Sequence, residues 1–103
     1  MSEKITRTAT INVDLSRFTK AIVATCAMVE AAIEQYDDVS TGFNEGMLAL
    51  GNEMKTYVDY IYNAVIEPSK TVLLTTKIRI KSDIDKLDNL IDAFEQVQKK
   101  KSK

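Results

Sequence analysis

Histidine and tryptophan are absent from the chain, and cysteine and proline occur once each, as Cys26 and Pro68. Each shortage excludes a class of chemistry. Without imidazole there is no His base to activate a Ser, Thr or Cys nucleophile. A single thiol in a chain without His supports neither a disulfide framework nor a Cys/His zinc site. Cys26 sits in an apolar stretch, where a buried, inert thiol is the expected state. Glycine is also scarce: Gly42, Gly46 and Gly51 have neither the spacing nor the preceding strand of a phosphate-binding loop. The longest apolar runs fall far short of the ~20 residues a membrane span requires. Residues Met1 to Thr10 are polar and mixed in charge, unlike a cleaved signal segment. No enzyme activity, cofactor or metal is expected, and the location expected is the cytoplasm.

What remains is a chain of 103 residues, 45% apolar and 28% charged, which suits one folded domain. The net charge of −1 conceals three blocks. Residues 1–20 carry four bases and two acids, residues 21–67 eight acids and one base, and residues 68–103 nine bases and five acids. Exposed ion pairs contribute only ~0–1 kcal/mol each, so this pattern biases the topology without deciding it. The run Lys99, Lys100, Lys101 and Lys103 has no aromatic interleaving. It reads as a solvated basic tail over 99–103 that complements a helix C-terminus, and nucleic acid is not an expected partner.

Periodicity divides the chain. Ile5, Arg7, Ala9, Ile11 and Val13 alternate with polar residues, as in a short extended N-terminal arm over 1–14. Asp14 or Ser16 is placed to cap a helix over 15–36, whose apolar positions Leu15, Phe18, Ile22, Cys26, Val29, Ile33 and Tyr36 recur at spacings of three and four. Residues 37–46 have the composition of a turn, with Gly42 and Gly46 among Asp, Ser, Thr and Asn, and Phe43 as a buried plug inside it. A second helix is expected over 46–66, with a heptad-like seam at Met47, Leu50, Met54, Tyr57, Ile61 and Ala64 and a second row at Val58, Tyr62 and Val65. Gly51 would let another helix approach closely. Pro68 interrupts the register and predicts a kink, or a third helix over 68–98. Its seam is Ile80, Ile84, Leu87, Ile91 and Phe94, while residues 71–81 are β-branched enough to read as strand or helix. Asp85, Asp88 and Asp92 share a helix face but lack the glycine and bidentate Glu of a cation loop, so they read as a solvated face.

The fold class expected is therefore all-α: an antiparallel helical hairpin with a kink or third helix after Pro68. Two long helices, a glycine-containing turn near residue 43, and no disulfide resemble the small WXG-type (ESX-like) helical-hairpin proteins of type VII secretion. Where that family has Trp-X-Gly, this chain has Phe43-Asn44-Glu45-Gly46. The family's export motif, Tyr followed four residues later by an acid, is absent: Tyr57 is followed by Ile61, Tyr60 by Ala64 and Tyr62 by Ile66. The pattern is similar to the motif-poor helical partners of LXG toxins. The resemblance implies a non-catalytic adaptor or targeting partner that binds the helical region of a larger effector, with export in a type VII complex without a cleavable signal. The apolar seams imply a protein partner with an amphipathic helical region, or a homo-oligomer. Contact candidates are Tyr57, Ile61, Ile84, Leu87, Ile91 and Phe94, with Phe43 and Gly46 marking the turn. The alternative is a self-associating structural or regulatory bundle, such as a phage or cell-architecture component.

Overall fold

A computed structural model describes residues 13–101. Over these residues the fold is all-α, built from α1 (Leu15–Glu34), α2 (Thr41–Ile61) and α3 (Leu74–Lys101), with no strand among the described residues. One 3-10 turn, Tyr36–Asp38, follows α1, and one π-helical turn, Tyr62–Ile66, extends α2. The expected arm lies outside the described residues, apart from Val13 and Asp14.

Residue numbers in contact set the topology. Cys26 Sγ lies 4.0 Å from the Asp83 carbonyl oxygen. Tyr36 meets Phe94 edge-on with ring centroids 6.1 Å apart, and Lys101 pairs with Asp37 at 3.0 Å. Numbers rise together along both helices, so α1 and α3 run parallel. Along α2 they run oppositely: Gly51 faces Ile91, Lys55 pairs with Asp88 at 3.2 Å, and the Tyr62 hydroxyl donates to the Lys77 carbonyl at 3.4 Å. The result is an up-down-up bundle of three helices. Its core takes Phe18, Ile22, Cys26 and Val29 from α1, Val58 and Ile61 from α2, and Ile80, Ile84, Leu87, Ile91 and Phe94 from α3. Gly51 packs against both other helices, since a Cβ there would lie 3.6 Å from Val29 and Ile91 side-chain carbons.

Capping chemistry fixes the helix starts. Of the two cap candidates for α1, Asp14 is the cap: its Oδ1 accepts from the Arg17 amide at 3.1 Å. Helix α2 begins at Thr41, several residues earlier than the composition of 37–46 suggests. Ser40 is its cap, with Oγ accepting from the Phe43 amide at 3.1 Å. Asn44 is buried in the first turns and donates through Nδ2 to the Tyr36 carbonyl at 3.1 Å. The turn is thus confined to residues 35–40, and Phe43 and Gly46 are helical. Phe43 is not a buried plug; it faces outward.

The corner after α2 is equally specific. The Glu67 amide donates to the Tyr62 carbonyl at 2.7 Å, the wide ring of a π turn, and both Tyr62 and Ile66 are buried. Pro68 then ends the helix because it has no amide hydrogen. Ser69 Oγ accepts from the Thr71 and Val72 amides, both at 3.2 Å. Lys77 Nζ donates to the carbonyls of Glu67 (2.8 Å) and Ser69 (2.7 Å), neutralising acceptors at the corner. The break expected at Pro68 is present, but α3 starts at Leu74, not 68. From Leu74 the β-branched segment is helical, because burial of the Ile80–Phe94 seam outweighs propensity deficits of ~0.5 kcal/mol per residue. Lys99, Lys100 and Lys101 form the last turn of α3 and are not a tail beyond it.

Candidate interaction surface

Five of the six contact candidates lie inside the chain's own core. Ile61, Ile84, Leu87, Ile91 and Phe94 are buried against α1 and against one another, so they are not available to a partner. Of the coverings open to the apolar seams (the chain's own third segment, a second copy or another protein), the first is the one the fold contains. Tyr57 alone among the six is exposed.

One exposed apolar row lies on α2. Phe43, Leu50 and Tyr57 stand at heptad spacing and are 52%, 52% and 57% exposed. Met47 and Met54, interleaved with them, are half-buried against the core. The buried side of α2 is the neighbouring row, Asn44, Gly51 and Val58, also at heptad spacing. Two rows therefore share one helix: one is filled by α1 and α3, and the other opens to solvent beside α1. Near the end of this open row, Tyr57 and Ile61 line a depression of about 300 Å³ together with Phe18, Ala21 and Val13. Scattered exposed apolar residues are ordinary, but a row at helical repeat is the pattern by which one helix recognises another.

Ionisable groups are arranged for structure. Burial pushes the Cys26 thiol up from its ordinary pKa, against the opposing effect of Lys86. The hydrogen bond that Lys55 donates to Asp88 raises the pKa of Lys55, which also pairs with Asp59 at 3.5 Å. Asp88 is thereby engaged by Lys55, and Asp85 by Lys81 at 3.3 Å, so two of the three acids on that face of α3 meet cations of the chain itself. No cluster of metal-ligating side chains occurs among the described residues. No described helix is long and apolar enough to cross a membrane.

No protein-family model, curated protein or solved structure matches the chain. The geometry of the chain therefore carries the functional reading by itself. Sequence periodicity found the seam residues without saying what covers them, and those of α3 are packed in the chain's own core. What distinguishes the open row from the filled one is the small or short residues at Asn44 and Gly51, which admit α1 and α3 closely.

Proposed function

We propose that the protein is a non-catalytic helical adaptor that binds an amphipathic helix of a larger protein through the Phe43, Leu50 and Tyr57 row of α2. The exposure of these three residues at heptad spacing is the observation that carries the reading. A helix laid along α2 would cover the row and turn the three-helix bundle into a four-helix one, the usual completion of such a core. Met47 and Met54 supply adaptable contacts beneath it. The resemblance to WXG-type proteins supports a bacterial type VII effector of the LXG kind as the larger protein.

The test is co-expression with the helical N-terminal domain of an LXG effector, using the intact chain and a triple variant, Phe43→Ser with Leu50→Ser and Tyr57→Ser. Co-purification is expected with the intact chain and lost with the variant, while helical circular dichroism is unchanged. Retained co-purification of the triple variant, or none with the intact chain, would overturn it. A dimer in light scattering that the triple variant dissociates would assign the row to a second copy instead.

A further inference from the structure

One end of the molecule is basic and tipped with apolar side chains. Helix α3 has 28 residues, so it spans ~42 Å at 1.5 Å per residue. The longest extent of the molecule is 47 Å, which puts the start of α3 at one pole. Leu73 and Leu74 stand there, 70% and 71% exposed, with Ile78 exposed one turn further on. The first turns of α1 reach the same pole: Leu15 and Lys20 line one depression with Thr76 and Arg79. The two stretches that build it, residues 13–20 and 67–81, hold six bases and two acids. Residues 21–66 between them hold seven acids and one base. At the pole Lys77 is taken up by backbone carbonyls, Lys81 by Asp85, and Arg17 approaches Asp14 at 4.0 Å. Among the described residues no ion pair is formed by Lys20, Lys70 or Arg79.

We propose that this pole is a docking site for an anionic lipid surface, with Leu73, Leu74 and Ile78 entering the interface and Lys20, Lys70 and Arg79 meeting the headgroups. Charge selects an anionic occupant, and shape selects a planar one. The apolar residues occupy a helix start and the loop before it, so they offer a tip about one turn long, whereas a partner helix needs a row of several turns such as the one on α2. Two or three aliphatic side chains give only weak, reversible binding alone, so the cations are needed alongside them. Each contributes a near-surface attraction worth about a fivefold change in partitioning. This site is distinct from the α2 row and does not depend on it.

Co-sedimentation of the full chain with vesicles of phosphatidylglycerol and phosphatidylcholine in equal parts tests it, against vesicles of phosphatidylcholine alone. The intact chain is expected to partition to the anionic vesicles and to leave them as salt rises to about 0.5 M. Leu73→Ser with Leu74→Ser is expected to lower partitioning at least tenfold, and Arg79→Glu about fivefold or more. Both changes lie at exposed positions, so unchanged circular dichroism is the folding control. Lys100→Glu, at the opposite end of α3, is expected to leave partitioning unaltered. Absence of binding by the intact chain, or binding that the double serine variant retains, overturns the proposal. Loss through Lys100→Glu alone would move the contact to the other pole and overturn it equally.

Discussion

Cys26, on the buried face of α1, has its sulfur near the Asp83 backbone of α3, and burial keeps the thiol protonated at neutral pH. Thiol reagents are therefore expected to modify native protein only as fast as it opens, with full reactivity in urea; an Ellman time course in both conditions checks this. Lys55 behaves in the opposite sense. Its raised pKa means that the folded state holds the proton more tightly than the unfolded one. The stabilisation is complete below the unfolded lysine value of about 10.4 and is lost as pH climbs through the folded one, amounting to ~0.5 kcal/mol for an exposed pair and less in high salt. Urea denaturation of Asp88→Asn should lack this alkaline loss. Gly46 is a third case. It sits inside α2 with nothing within 4 Å of a would-be Cβ. Gly46→Ala should raise stability by ~0.5–1 kcal/mol, seen as a higher melting temperature.

At the scale of elements, apolar periodicity was enough to place α1, the body of α2 and the Ile80–Phe94 seam of α3. The all-α class followed from it. The misplacements share one physical origin, which is that local composition is overruled by contacts distant in sequence. Residues 37–46 look like a loop because Ser40, Thr41, Gly42 and Asn44 are turn formers, yet Ser40 is a cap and Asn44 reaches back to Tyr36. The loop before Leu74 is held by Ser69 and by Lys77 from the following helix, which no window of sequence reveals. The candidate surface was legible only in part. Of the six contact candidates Tyr57 is exposed, whereas Ile61, Ile84, Leu87, Ile91 and Phe94 fill the chain's own core. Periodicity identifies an apolar face without saying what covers it, and here α3 does.

For the molecule as a whole, the two ends differ in character: apolar and basic where α3 starts, and knit by Tyr36, Phe94 and the Asp37–Lys101 pair where it ends. The parallel pairing of α1 with α3 has a consequence in time. Joining Cys26 to Asp83 closes 57 residues of chain, whereas joining Tyr62 to Lys77 closes 15. The longer closure costs ~1.2 kcal/mol more in chain entropy, so the α2–α3 corner is favoured as the nucleus and α1 docks onto it afterwards. Stopped-flow kinetics should show Val58→Ala slowing refolding, and Ile22→Ala chiefly accelerating unfolding. Assembly then runs against synthesis: the helix that leaves the ribosome first is the last to find its place.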